Sequence, residues 1–288
     1  MDGTGQHRPA RAPCATRGNT LTFVHSAPQR TMNGTICYEQ PLNERIRTLL
    51  RLEFLFTLAD HRARGESHWD SRAAVTALLD IVDLLSRTDI KSELGKELER
   101  QLGVLGELRD NPVVDSELLD MNLRALEGTL SGLRDGGYSP GATLRADELI
   151  TSVRQRAAIP GGTCSFDLPA FHQWLMRPAE ARRLDLELWS RDLMLLRDGV
   201  TLTLDNLRRS ANPVQVTASE GFYQETVDQT RPCQLIRVVL PAESPVFPEI
   251  SGGKHRFTVR FLEMSGPQRQ RPQQTGDDVT FQLLRCSM

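Results

Sequence analysis

The stretch Leu204–Thr217, LDNLRRSANPVQVT, marks the point where the periodicity of the chain changes. Before it, apolar residues recur at steps of three and four, and Leu204 and Leu207 are the last of this series. After Asn212-Pro213, the run Val214–Thr217 is short and rich in β-branched residues. The sequence therefore predicts an α+β protein, with an N-terminal all-helical domain followed by a C-terminal antiparallel β-strand domain.

The helical part is predicted to begin at Pro41, a residue that is tolerated in a first turn, and to end at Asn212. Asp70 stands before the next apolar stripe and is predicted to cap the second helix. By apolar spacing, the predicted helices cover about residues 41–64, 70–85, 89–108, 115–133, 147–157, 167–176 and 178–210.

Four β-rich runs follow the boundary, and turn residues such as Gly252-Gly253 separate them. In RFTVRFL the side chains of Phe257, Val259 and Phe261 face one way, while those of Arg256, Thr258 and Arg260 face the other. One face of the sheet is therefore expected to contact water. The predicted strands are 214–217, 234–240, 256–262 and 279–284, and the polar residues 265–278 are predicted to form a loose hairpin loop.

Residues 1–31 differ from the rest, because they lack apolar periodicity and carry several arginines against the single acid Asp2. They also lack the apolar run of a secretory signal. We predict a disordered, dispensable extension, or a start site assigned too far upstream, with Met32 as the natural first residue. A transit peptide is a further alternative on composition. The predicted domains are therefore 32–212 and 213–288.

The composition limits the classes of function. A formal net charge of -2 argues against a protein built to coat nucleic acid or anionic membranes, so we expect no nucleic-acid binding. The longest apolar runs are far shorter than the roughly 18 residues of a membrane span, so we expect no membrane insertion. The five cysteines are scattered and form no CxxC pair, which favours a reducing cytoplasm. The six histidines are dispersed and no phosphate-binding glycine motif is complete, so we expect no metal and no other cofactor.

The stretch Ile159–Leu175, IPGGTCSFDLPAFHQWL, contains the residue types of a thiol active site, with Cys164 and His172 eight positions apart. Such a site requires the imidazole within hydrogen-bond reach of the sulfur. The other interpretation is structural: a glycine turn is followed by a helix that Asp167 caps. We expect that the protein is not an enzyme, and a thiol-dependent enzyme that uses Cys164 and His172 is the alternative.

Positive charge is concentrated between residues 231 and 271, where seven Lys or Arg stand against three acids. Arg256 and Arg260 share one strand face there. In the first predicted helix, Arg47 and Arg51 lie one turn apart on one face. Two interpretations are open for these arginines. They are a solvated surface, or they form a site for a carboxylate-bearing peptide, since guanidinium groups bind carboxylates through paired hydrogen bonds.

Four segments are distinctive enough to compare with known families: YEQPLNERIRTLLRLEFLF (38–56), LITSVRQRAAIPGGTCSFDLPAFHQWL (149–175), GFYQ (221–224) and PEISGGKHRFTVRF (248–261). Together they closely resemble the ZapD family of bacterial cell division proteins. The resemblance implies a cytoplasmic homodimer with a helical domain and a β domain. It further implies a non-enzymatic protein that binds the C-terminal tail of FtsZ, bundles FtsZ filaments and supports Z-ring assembly at mid-cell.

The resemblance also implies which residues bind the tail. The basic surface of the family falls on Arg47 in NERIRTLLR, on Arg87 before DIKSEL, and on Arg256 and Arg260 in KHRFTVRF. Residues 1–31 lie outside the family pattern, and the loop 265–278 matches it poorly. In a two-fold dimer each tail site occurs twice, so one dimer can hold two filaments.

Overall fold

The structure of the protein is a computed structural model that describes residues 34–228, 232–253, 255–264 and 271–288. The predictions for residues 1–31, and for 265–270 of the predicted loop, lie outside these residues. The helices are α1 (Glu44–Ala63), α2 (His68–Arg87), α3 (Ile90–Gly106), α4 (Ser116–Arg134), α5 (Ala142–Ala146), α6 (Glu148–Ala157), α7 (Pro169–Leu175), α8 (Ala179–Ser190) and α9 (Met194–Arg209). The strands are β1 (Thr35–Pro41), β2 (Val214–Ala218), β3 (Phe222–Thr226), β4 (Cys233–Pro241), β5 (Val246–Gly252), β6 (Arg256–Glu263), β7 (Gln273–Gln274) and β8 (Val279–Ser287).

The helices pack around one apolar core, as their spacing predicted. Leu94, Leu126 and Leu204 are completely buried in it, and they come from α3, α4 and α9. Side chains fix where several helices begin: the carboxylate of Asp89 accepts a hydrogen bond from the backbone N–H of Ser92 at 3.1 Å. No helix in the described part of the chain is long and apolar enough to cross a bilayer.

The strands form two antiparallel sheets. The first sheet has the order β1-β4-β8-β2, and the second has the order β3-β6-β5, with β7 pairing with the end of β6. The chain passes from β2 to β3 through Glu220 and Gly221, whose φ angles are 50° and 70°. A Cβ atom at Gly221 would lie 2.7 Å from the carbonyl oxygen of Thr275, so this turn requires glycine. The α+β prediction is confirmed.

The first sheet lies between the helices and the second sheet, because each of its faces joins a different core. One face contributes Ile236 to a core that it shares with Phe257 and Phe261 of the second sheet. The opposite face contributes Leu235 and Cys286 to the helical core. The second sheet consequently has one face against the first sheet and an outer face directed away from the helices.

Arg208 of α9 connects the helical layer to the first sheet. Its guanidinium donates to Glu39 of β1 at 2.8 and 2.9 Å, and to both carboxylate oxygens of Glu53 of α1 at 2.7 Å. Glu39 also forms an ion pair of 2.9 Å with Arg237 of β4. Burial tends to raise the pKa of Glu39, but hydrogen bonds and charge from Arg208, with those from Arg237, outweigh burial and lower that pKa.

The start of α2 differs from the prediction. Asp70 was predicted to cap this helix, but the N-cap is Ser67, whose hydroxyl accepts a hydrogen bond from the backbone N–H of Trp69 at 3.1 Å. Asp70 lies in the first turn and accepts a hydrogen bond from Arg62 at 2.9 Å. Ser67, three residues earlier, thus accepts the hydrogen bond from the backbone at the start of the helix. Asp70 instead forms an ion pair with Arg62 of the preceding helix.

The predicted helix 178–210 is two helices, α8 and α9, separated by the 3₁₀ turn Arg191–Leu193. The carboxylate of Asp192 in this turn accepts hydrogen bonds from the backbone N–H groups of Gly141 and Thr143, at 3.2 and 2.7 Å. The break between α8 and α9 therefore lies where Asp192 contacts a segment about fifty residues earlier. The spacing of apolar residues along the chain could not predict this contact.

Strands were predicted for β2, β4, β6 and β8, and the structure confirms all four. β1 was not predicted; it lies in the range 32–212 and pairs along its whole length with β4. The predicted helix start at Pro41 is wrong, because Pro41 ends β1 and α1 begins at Glu44 after its cap. The domain boundary at residues 212–213 stays a prediction, but the first sheet takes strands from both sides of it. β5 was also missed, because it contains Pro248. Proline is tolerated there since β5 is an edge strand of the second sheet.

Candidate functional site

The two arginines of β6 lie on the outer face of the second sheet. Phe257, Val259 and Phe261 alternate with them and are buried against the first sheet, whereas Arg256 and Arg260 are exposed. The predicted alternation is therefore confirmed. Because residues two apart on a strand share a face, both guanidinium groups extend from the same side of β6 into solvent. We refer to this side of β3, β5 and β6 as the outer face.

Arg260 has an acidic partner directly across the sheet. Glu249 of β5 is its register partner, and the two side chains form an ion pair in which each is about half exposed. Surface ion pairs of this kind contribute little to stability, and the guanidinium keeps further N–H donors free. Arg256 forms no ion pair with any residue in the described ranges. Among the described residues, the outer face thus offers one arginine without an ion pair and one that is partly neutralised.

Arg47 lies in the first turns of α1, which begins beside the second sheet. Asn43 caps this helix by accepting a hydrogen bond from the backbone N–H of Ile46 at 2.9 Å. Leu42, just before the cap, packs so closely on the end of β5 that a Cβ atom at Gly252 would lie 2.7 Å from its Cδ2 atom. Arg47 itself forms an ion pair with Glu44. The start of α1 is therefore a neighbour of the hairpin that leads into β6.

Arg87, the fourth predicted residue, is exposed in the last turn of α2. The main neighbours of α2 are α1, α6, α7 and α8, whereas those of β6 are β2, β3, β5 and β7. Within a single chain, the fold therefore places Arg256 and Arg260 together and Arg47 near the hairpin that precedes them. Arg87 lies apart from them, in the helical layer.

The segment containing Cys164 and His172 forms a turn followed by α7. The thiol of Cys164 donates a hydrogen bond to the carboxylate of Asp167 at 3.4 Å, and Asp167 also accepts one from Arg156 at 3.3 Å. His172 is exposed on α7. Asp167 was predicted to cap α7, but the N-cap position is Leu168, without a side-chain hydrogen bond. The hydrogen-bond partner of the sulfur is thus a carboxylate rather than the imidazole that the alternative enzyme requires.

Two residues of the outer face, Glu249 and Phe222, were not predicted from the sequence. Glu249 and Phe222 flank Arg260 from β5 and β3, and neither strand was predicted. Arg237, which belongs to the basic stretch 231–271, is committed to Glu39 inside the fold and does not contribute to the outer face. The sequence signal that could have found Phe222 is weak, since it is the alternation of a single five-residue strand.

Comparison with known proteins identifies the family. A sequence model of the ZapD family, described as "Cell division protein", matches residues 50–260. A "Cell division protein ZapD" from Methylococcus capsulatus is 46% identical over 255 residues, which cover 88% of this chain and 99% of the relative. Proteins with the same name from Cupriavidus necator and Nitrosomonas europaea are 42% and 38% identical over 253 residues, 88% of this chain and 99% and 95% of theirs. The chain belongs to the ZapD family of cell division proteins.

Proposed function

We propose that the protein binds the C-terminal tail of FtsZ through exposed arginines, cross-links FtsZ filaments and thereby promotes the assembly and stability of the Z-ring. The observation that carries this proposal is the pair of exposed arginines, Arg256 and Arg260, on one face of β6 in a member of a cell division family. The proposed role is non-catalytic, needs no cofactor, and is exercised in the cytoplasm at mid-cell.

The chemistry of the proposed contact is the pairing of guanidinium groups with carboxylates of the tail. Charge-assisted hydrogen bonds of this type are stronger than neutral ones, and arginine can form two in parallel. On an exposed face they are screened by salt, over a Debye length of about 8 Å at physiological ionic strength. Each contact is therefore modest. Tails repeat along every filament, so two sites held together give firm attachment through a high effective concentration.

Cross-linking requires at least two tail sites in one particle, and a homodimer supplies them. A two-fold dimer presents each surface twice. It also offers a way to unite Arg87 with β6, which are separated within one chain, if the second copy contributes one of them. We expect sedimentation equilibrium at micromolar concentration to give twice the chain mass of 32.3 kDa. A single species at the mass of one chain would contradict the dimer.

Arg260 is the residue whose replacement should weaken tail binding most clearly. We expect Arg260→Ala to reduce the affinity for a tail peptide about tenfold, as for a central contact worth roughly 1–2 kcal/mol. Arg260→Glu should reduce it further, because repulsion replaces attraction. The measurement is fluorescence anisotropy of a labelled FtsZ tail peptide at low and physiological salt. Binding should weaken as salt rises, mainly through slower association.

Glu249→Gln provides a matched variant on the same face. It removes the acidic partner of Arg260 without removing the arginine, so the affinity for the tail should stay the same or increase. Melting temperatures should barely change in any of these variants, because both side chains are half exposed. Equal affinities for wild type, Arg260→Ala and Arg260→Glu would show that the tail binds elsewhere. Undiminished pelleting with FtsZ polymers that lack the tail would contradict the proposed function itself.

A further inference from the structure

The outer face has an apolar end beside the arginines. Phe222 of β3 lies opposite Arg260, and it is 42% exposed. Phe247 of β5 and Leu262 of β6 lie opposite each other one step further along the same face, and both are partly exposed. None of the three belongs to the core between the sheets or to the helical core. Three large apolar side chains are thus grouped at the surface without contributing to either core.

The arrangement of charge and apolar surface on β6 has a defined spacing. A strand rises about 3.3 Å per residue, so Arg260 lies roughly 7 Å from Leu262 and roughly 13 Å from Arg256 along one face. From one end of β6 to the other, the outer face therefore presents an apolar site, a first cation and, further away, a second cation. An extended peptide that lies along β6 would match these positions at every second residue.

We propose that Phe222, Phe247 and Leu262 form a contact site for one apolar side chain of the FtsZ tail. The occupant is an extended acidic peptide in which the apolar residue stands two positions from one carboxylate and six from a second. Complementary charge supports this choice, because Arg256 is unpaired within the described ranges and Arg260 keeps free donors. This inference rests on the proposed function and adds to it: carboxylates provide attraction, while the apolar side chain determines which acidic peptides bind.

The test is a double-mutant comparison by fluorescence anisotropy with the full-length protein. Labelled FtsZ tail peptides, each with one apolar residue replaced by serine, are titrated with wild type and with Phe222→Ser. Phe166→Ser is the matched control, because Phe166 is 84% exposed in the helical part of the chain and lies outside the outer face. Phe222 is outside both cores, so Phe222→Ser should remain folded, and its melting temperature is measured alongside.

We expect Phe222→Ser to lose about fivefold to tenfold in affinity for the unaltered peptide, by the same factor at low and at high salt. One serine-substituted peptide should show a similar loss with wild type and little further loss with Phe222→Ser. Phe166→Ser should bind like wild type. If binding depends on Arg260 but Phe222→Ser equals wild type, or if no peptide position is coupled to Phe222, this inference is wrong and the proposed function stands. If wild type does not bind the tail, both are wrong.

Discussion

Arg208→Ala is expected to lower the free energy of unfolding by about 3–5 kcal/mol, the usual effect of removing one partner from a buried ion pair. The substitution removes the ion-pair partner of Glu53 and leaves Glu39 with Arg237 as its remaining partner, in the layer between the helices and the first sheet. Burial tends to lower the pKa of Arg208, but hydrogen bonds with Glu53 and Glu39 raise it above its ordinary value. The measurement is urea denaturation followed by circular dichroism.

The neighbouring Arg209 provides the control for this experiment. It is exposed on α9, so Arg209→Ala should change the free energy of unfolding by no more than about 0.5 kcal/mol. Adding Glu53→Gln to Arg208→Ala should recover part of the loss, because it removes one uncompensated buried charge. If Arg208→Ala and Arg209→Ala were equally stable, the ion-pair network would not be a source of stability.

The same network predicts a pH dependence. The pKa of Glu39 in the folded protein lies below its ordinary value of 4.5, so its ionised form stabilises the fold. This contribution is complete above about pH 4.5 and is lost as the pH falls through the folded-state pKa. The Arg208→Ala variant lacks the guanidinium that is the main cause of the lowered pKa of Glu39. The difference in stability between wild type and this variant should therefore shrink below about pH 4.5, whereas a constant difference down to pH 3 would contradict the assignment.

Phe171→Ala should cost about 3–5 kcal/mol of unfolding free energy, the range for removing a fully buried phenylalanine. Phe171 is 1% exposed, and its ring stacks on Trp174 with a centroid distance of 5.7 Å. Trp174 in turn contacts Trp189 of α8 at 5.3 Å. The guanidinium of Arg72 lies 5.0 Å from the centroid of the Phe171 ring. The loss should be measured by urea denaturation.

His172→Ala and Cys164→Ser are the controls for Phe171→Ala, since they alter the same segment without opening a cavity. His172 is exposed, and we expect its replacement to change stability by no more than about 0.5 kcal/mol. Both variants should bind the FtsZ tail and bundle filaments like wild type. Loss of function in a folded Cys164→Ser protein would favour the alternative, a thiol-dependent enzyme that uses Cys164 and His172.

Helices were predictable from the sequence wherever local signals determine them. Asp89 and Asp115 precede their helices, and both side chains accept hydrogen bonds from the first turn. The predictions were wrong where a side chain has a distant partner: Asp192 accepts hydrogen bonds from the start of α5, and Asp167 accepts one from Arg156. Spacing along the chain identifies an apolar face, but it does not reveal which polar groups meet across the fold.

The candidate site was predictable only in part. The alternation of β6 was sufficient to place Arg256 and Arg260 on one exposed face, because a strand has a fixed period of two. Their neighbours on that face come from β3 and β5, which are short or contain proline, and register between strands is a non-local property. That Arg47 and Arg87 belong to the same binding surface as Arg256 and Arg260 stays a proposal.

The pairing of β1 with β4 affects how the protein forms during synthesis. β1 leaves the ribosome about 190 residues before β4, an interval of roughly 10–40 s at 5–20 residues per second. The helices are synthesised during that time, and throughout it the backbone donors and acceptors of β1 lack the partner strand β4. β4 must then pair with β1 on one side and with β8, the last strand, on the other. If synthesis stalls before β8, the edge of β4 that β8 would cover stays unpaired. This edge is then available to β1 or β4 of another nascent chain on the same polysome.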